Sequence, residues 1–240
     1  MRSVIAGQQV IFNLAGEISH IRSVEDPMRD LKINTISQLQ FLNQCRLENP
    51  GATIIYASSR QVYGNALYLP VDERHSVSPV DFNGVHKLAT EHYHQLLRNQ
   101  FDMRTICLRL GNIYGPRQAI HVNCRGFIDV FIKLALSGKQ LSVFGDGEQL
   151  RTMLYVDDAV DAFLLAGQAD PEAASVYNVA GFEPTSLFEI AQILSRVAGL
   201  NQPRLVPFPP EHKVIDIGSF YSSNEKFRNA FGWKPKVGLA

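Results

Sequence analysis

The sequence predicts an α/β fold built on a doubly wound parallel sheet, and three observations carry that expectation. Short apolar runs at 10–15, 53–58 and 105–110 have the character of strands buried on both faces. Stretches of helical periodicity at 28–47 and 84–98 lie between them. Each run ends in small or polar residues, where a parallel sheet presents its ligand-binding edge.

Taken in order, Val10-Ile11-Phe12-Asn13-Leu14-Ala15 is stopped by Gly16, and Pro27 suits the first turn of a helix whose apolar residues are Leu31, Leu39, Leu42 and Cys45. Asn49-Pro50-Gly51 makes a turn before the strand Thr53-Ile54-Ile55-Tyr56-Ala57-Ser58. A helix over 84–98 leads to Thr105-Ile106-Cys107-Leu108-Arg109-Leu110, ended by Gly111. Further on, helices are expected at 126–136, 157–165 and 187–197 and a strand at 176–179. Val143-Phe144 precedes the turn Gly145-Asp146-Gly147, and 203–210 reads as an extended, proline-rich connection.

Composition narrows the function. The 240 residues contain 23 Lys plus Arg and 23 Asp plus Glu, a formal net charge of zero, so no broad basic surface for nucleic acid is expected. With 45% hydrophobic and 19% charged residues the chain is globular in type. No apolar run approaches a bilayer span, and Gln8, Gln9 and Asn13 interrupt the only leader-like stretch. Neither a membrane partner nor a metal site is expected. Cys45, Cys107 and Cys124 are an odd, widely spaced set without a CxxC, read as free thiols of a cytoplasmic protein.

Five segments carry the chemistry: Ala57-Ser58-Ser59-Arg60-Gln61-Val62-Tyr63-Gly64, Asn83-Gly84-Val85-His86-Lys87, Leu108-Arg109-Leu110-Gly111-Asn112-Ile113-Tyr114-Gly115-Pro116-Arg117, Gly145 through Arg151, and Tyr155-Val156-Asp157-Asp158. In this order they resemble the extended short-chain dehydrogenase/reductases of the NAD-dependent epimerase/dehydratase family, which act on nucleotide-activated sugars. The resemblance runs from Val10 to about Val237. It implies a partial Rossmann-type sheet domain over 1–118, to which 150–182 returns, and a smaller nucleotide-sugar-binding region made of 119–149 and 183–240. It implies NAD as cofactor, without excluding NADP. Leu14, Ala15, Gly16, Asn34, Ser58 and Lys87 would then contact the cofactor. Ser59 would bond the reacting sugar hydroxyl, Asn112 and Arg151 the diphosphate, and Phe144 the base. A homodimer through helices near 28–47 and 84–99 is also implied.

Three departures qualify the resemblance. The family's base is a tyrosine four residues before the lysine, and here that position is Asn83, an amide without acid–base chemistry near neutrality. On a helix Asn83, His86 and Lys87 share one face, which makes His86 and Lys87 the candidate replacements. Arg60-Gln61 stands where dehydratases carry an acidic pair, so epimerisation or plain redox chemistry is favoured over dehydration. Arg60 in that place either meets a charged sugar or is solvated. The glycine-rich dinucleotide fingerprint is absent, and a sequence truncated at its N-terminus is expected. An NAD-dependent epimerase is the leading reading, and a catalytically silent nucleotide-sugar binder is the rival.

Overall fold

The computed structural model describes residues 2–118, 126–170, 173, 175–213 and 216–239, without the side chains of 2, 3, 211 and 212. Cys124 lies outside the described residues. In chain order the elements are α1 (Arg2–Ile5), β1 (Val10–Asn13), α2 (His20–Glu25), α3 (Pro27–Leu31), a π-helical turn (Lys32–Ile36), α4 (Ser37–Glu48), β2 (Thr53–Ser59), a 3-10 turn (Arg60–Val62), α5 (Phe82–Phe101), β3 (Thr105–Leu110) and β4 (Asn112–Tyr114). There follow α6 (Phe127–Leu136), β5 (Ser142–Phe144), β6 (Leu150–Arg151), β7 (Met153–Tyr155), α7 (Val156–Gly167), β8 (Val176–Val179), β9 (Thr185–Ser186), α8 (Leu187–Val197), β10 (Arg204–Val206), α9 (Pro210–Lys213) and α10 (Glu225–Phe231).

The main sheet has the order β1-β2-β3-β8, every pair parallel, with Ile11 opposite Ile54, Ile55 opposite Ile106 and Leu108 opposite Tyr177. The alternation of strands and helices read from the sequence is therefore realised as a sheet covered on both faces. Under α4 and α5, Ile54 packs with Leu42, Cys45, Leu97 and Met103. On the opposite face Ile55, Ile106 and Leu108 meet Ala159, Ala162 and Ala166, whose small side chains at helical spacing let α7 lie close to the strands. α10 and Trp233 close the β8 side of this layer through Phe227, which lies against Tyr177 and Trp233.

A second cluster is built around Ile128, Phe131, Leu141, Val143 and Ile190, from α6, β5 and α8. Here β5 pairs with β10 in a separate parallel ribbon. The stretch expected to be an extended connection over 203–210 contains a paired strand; three exposed or half-buried residues gave no buried run to mark it. Two further pairs were not read from sequence: β4 with β7, parallel, and β6 with β9, antiparallel. All are two or three residues long, too short to show a period.

The helix expected over 28–47 is interrupted. Asp26 caps α3 through Arg29 N, and the extra residue of the π turn re-aims the following segment and places Asn34 and Thr35 inward. α5 is longer than expected, capped by the Asp81 carboxylate on Gly84 N and closed by Asp102 in the left-handed region. No helix among the described residues is long and apolar enough to cross a membrane.

Candidate functional site

The site is built at the carboxyl ends of β1 and β2, against the first turns of α5. Leu14, Ala15 and Gly16 leave β1 exposed. The Gly16 backbone passes so close to α5 that a Cβ there would sit 2.8 Å from Lys87 Nζ and 2.9 Å from Asn34 Oδ1. Lys87 is buried along its length, donates to the Ala57 carbonyl at 3.1 Å and lies 5.1 Å from the Tyr56 ring centre. Burial draws its pKa down to about 8 against the opposing pull of Asp30 and Glu91. Ser59 stands at the end of the same strand, two residues past Ala57. Its hydroxyl oxygen accepts from Gln61 N at 3.2 Å, which leaves the hydroxyl hydrogen to be given elsewhere.

Asn83 is fully buried behind the loop that leaves β1. Its amide nitrogen donates to the Glu17 carbonyl and to Asp30 Oδ2, both at 2.9 Å, while its own carbonyl oxygen is buried without a partner among the described residues. Asp30 is also met by Asn34 Nδ2 at 3.0 Å and His86 Nδ1 at 2.7 Å. Asn83 and His86 thus do share a helix face, as expected, but they share it around a buried carboxylate. His86, a candidate base on spacing alone, is committed to Asp30 and lies 8% exposed. Asn34 bonds the Glu17 backbone through both ends of its amide and holds the loop after β1. Ser58, expected at the cofactor, gives its hydroxyl to the buried Glu91. Side chains alternate along a strand, so Ser58 and Ser59 point to opposite faces.

The structure adds a pair that spacing could not reveal. His20, the first residue of α2, places Nδ1 against Asp81 Oδ2 and Nε2 against the Gln61 amide nitrogen. Asp81 is almost fully covered, whereas the His20 side chain keeps 28% exposure. Burial opposes ionisation of Asp81, but His20, the Gly84 amide and Arg60 outweigh it and hold the carboxylate below its usual range. With Asp81 accepting from Nδ1, the Nε2 atom is the acceptor and takes the Gln61 N–H. The partners are 61 and 41 residues away in sequence, so only folding brings them together.

Beside Arg60 stand the residues expected to hold a diphosphate. Asn112, at the start of β4, donates to the Thr152 carbonyl and accepts from Arg60 Nε at 3.4 Å. Arg151 in β6 gives Nη1 to the carbonyls of Leu150 and Gly218, while its Nε is buried without a partner among the described residues. Phe144, at the end of β5, is 39% exposed and packs its ring 5.5 Å from that of Phe208, an apolar wall at the mouth of the second region.

Comparison with known proteins bears on the fold and the family. The model of the NAD dependent epimerase/dehydratase family matches residues 1–180. A UDP-glucose 4-epimerase of Mycolicibacterium smegmatis is 32% identical over 97% of this chain and 72% of the relative. A putative UDP-glucose 4-epimerase of Methanocaldococcus jannaschii is 31% identical over 96% of this chain and 73% of its own length. Among solved structures, a UDP-glucose 4-epimerase of Thermotoga maritima with UDP-glucose superposes with a TM-score of 0.87 at 29% identity, over 96% of this chain and 73% of that one.

Proposed function

The chain belongs to the NAD dependent epimerase/dehydratase family, and we propose that it is an epimerase that binds NAD and a uridine-diphosphate sugar and inverts one hydroxyl-bearing carbon of that sugar. The observation that carries this reading is the meeting of Lys87, Gly16 and Ser59 at one end of β2. Lys87 has three N–H donors and directs one to Ala57, so the others remain for the hydroxyls of a ribose. The missing Cβ of Gly16 leaves space beside that ammonium. These features fit the nicotinamide end of NAD, with Leu14, Ala15 and the Asn34-held loop lining it. When bound, NAD supplies reversible two-electron oxidation at the sugar carbon.

The protein's part is binding, orientation and proton movement. Ser59 donates its free hydrogen to the reacting sugar oxygen. His20 Nε2 takes the proton of the sugar hydroxyl, which displaces the Gln61 amide, and Asp81 holds the ring by Nδ1 and stabilises the imidazolium. His20 therefore fills the role that neither Asn83 nor the Asp30-bound His86 serves in this reading, and Lys87 acts by holding the ribose. Asn112 and Arg151 take the diphosphate and Phe144 flanks the base. Residues 1–118, joined by 150–182 through β8 and α7, form the cofactor side, and 119–149 with 183–240 form the sugar side.

The two relatives above 30% identity are named for UDP-glucose, which sets the test. Incubation of the chain with NAD and UDP-glucose is expected to yield UDP-galactose or, with another UDP-sugar, its epimer, followed by proton NMR of the anomeric signals. Calorimetry run in parallel discriminates the rival: binding of UDP-sugars with no epimer formed from any of them would favour a silent binder. Absence of binding would remove both readings.

The same reading extends to assembly. Leu39 and Leu47 on α4 and Phe82, Val85 and Leu96 on α5 are exposed, whereas Leu88, Tyr93 and Leu97 turn inward onto the core. Two copies pairing through α4 and α5 would cover the outward set. Sedimentation at micromolar concentration is expected to give a dimer, and a monomer alone would count against this interface.

A further inference from the structure

Arg60 is the one residue of the site whose charge nothing yet explains. It follows Ser59 directly, opens the 3-10 turn, and lies with its guanidinium 5.3 Å from the Phe220 ring centre. Its Nε reaches only Asn112 Oδ1, a neutral acceptor, and its Nη1 is buried with no partner among the described residues. The nearest charges acting on it are Arg151, which repels it, and Asp81, which is already engaged by His20 and Gly84 N. Burial and Arg151 together lower its pKa to about 9, against the pull of Asp81.

Two guanidiniums, one acting on the charge of the other, thus each keep a buried nitrogen that no carboxylate among the described residues meets. A buried cation in this condition is costly unless an anion completes it. Any oxyanion offers that chemistry, and a nucleotide sugar carries two kinds: the diphosphate, and a carboxylate on the sugar when the sugar is a uronic acid. Arg60 touches the group assigned to the diphosphate through Asn112, but it also follows directly on Ser59, the hydroxyl assigned to the reacting sugar oxygen. That adjacency, which Arg151 in β6 does not have, is the ground for assigning Arg60 to the sugar rather than to the linker.

We propose that Arg60 reads the carboxylate of an acidic sugar, and that the substrate is a nucleotide-activated uronic acid. This deepens the function proposed above and rests on it. The planar fork of arginine matches a carboxylate in a way a lysine cannot, and desolvation by Phe220 strengthens the pairing.

Calorimetry of the whole chain with UDP, UDP-glucose, UDP-glucuronic acid and UDP-galacturonic acid tests it without turnover. At least one uronic acid is expected to bind roughly tenfold to a hundredfold more tightly than UDP-glucose. Arg60→Gln is expected to remove that preference while leaving UDP affinity unchanged, the unchanged UDP value also showing that the variant is folded. Arg60→Lys is expected to recover only part of the preference. Equal affinities for UDP-glucose and both uronic acids would overturn the proposal while leaving the epimerase reading intact. So would a loss of UDP binding in a thermally unaltered Arg60→Gln, which would assign Arg60 to the diphosphate. If Arg60→Gln and Arg60→Lys both melt early, the wild-type preference alone decides between these outcomes. Failure of every UDP compound to bind would overturn the proposal and the reading beneath it together.

Discussion

Replacing Glu91 with alanine is expected to destabilise the protein by about 3–5 kcal/mol, the cost of stranding a buried charge. Glu91 and Arg109 are both buried, joined by Arg109 Nη2 to Glu91 Oε2 at 2.6 Å and by Nε to both carboxylate oxygens at 3.0 and 3.2 Å. Ser58 adds a third donor, and the guanidinium lies 4.7 Å from the Tyr63 ring centre. Burial works against the charge on Arg109, but the hydrogen bonds and charge of Glu91 prevail and raise its pKa. Without Glu91 the guanidinium keeps its charge, loses its carboxylate and is left with the Tyr63 hydroxyl. The midpoint of thermal unfolding should fall by roughly 10 °C for a chain of this size. Glu91→Gln, which keeps one acceptor and the shape, should lose less. The double variant Glu91→Leu/Arg109→Met should be more stable than Glu91→Ala, because no charge is left in the core. A loss below about 1 kcal/mol for Glu91→Ala would show that water reaches the pair and that its burial is not what ties α5 to β3.

His20→Gln is expected to lower kcat by about a hundredfold to ten-thousandfold, the range for loss of a positioned acid–base group, with KM for the sugar nucleotide nearly unchanged. Asp81→Asn should also reduce kcat, since the ring loses the carboxylate that orients Nδ1 and stabilises the imidazolium. Asparagine still caps α5, so this variant should melt near the wild type. The double variant should be no slower than His20→Gln alone, the non-additivity of two groups that act as one. His86→Gln provides the contrast. Its partner Asp30 sits in a closed network with Asn34 and Asn83, so stability should fall while kcat stays within a few-fold. Full turnover in His20→Gln, or a collapse of kcat in a folded His86→Gln, would return the acid–base role to the residue that spacing alone had nominated.

These two predictions differ in how far the sequence leads toward them. The strands containing Ser58 and Arg109 were legible as apolar runs, and the helix bearing Lys87 from its period, because each is buried within or against a sheet and its pattern is written locally. The weak points were elements held by few residues. The strand at 204–206 and the ribbons at 112–114, 150–151 and 153–155 are too short to carry a period. The interruption of 28–47 by a π turn follows from Asn34 reaching the loop after β1, a tertiary demand that helix propensity does not register.

The sequence by itself determined the parallel sheet and the strand ends at which Gly16, Ser59 and Asn112 stand. Those properties depend on neighbours within a turn or a strand. Only the tertiary structure decided which groups face the edge. It turned Asn83 and His86 toward Asp30, sent Ser58 to Glu91, and brought His20 to Asp81 and Arg60 to Asn112. Each of these choices settles where a polar or charged group finds its partner once water is excluded, and those partners lie 33 to 61 residues away along the chain. A local pattern records which residues are buried; it holds no information about which buried charge will answer which.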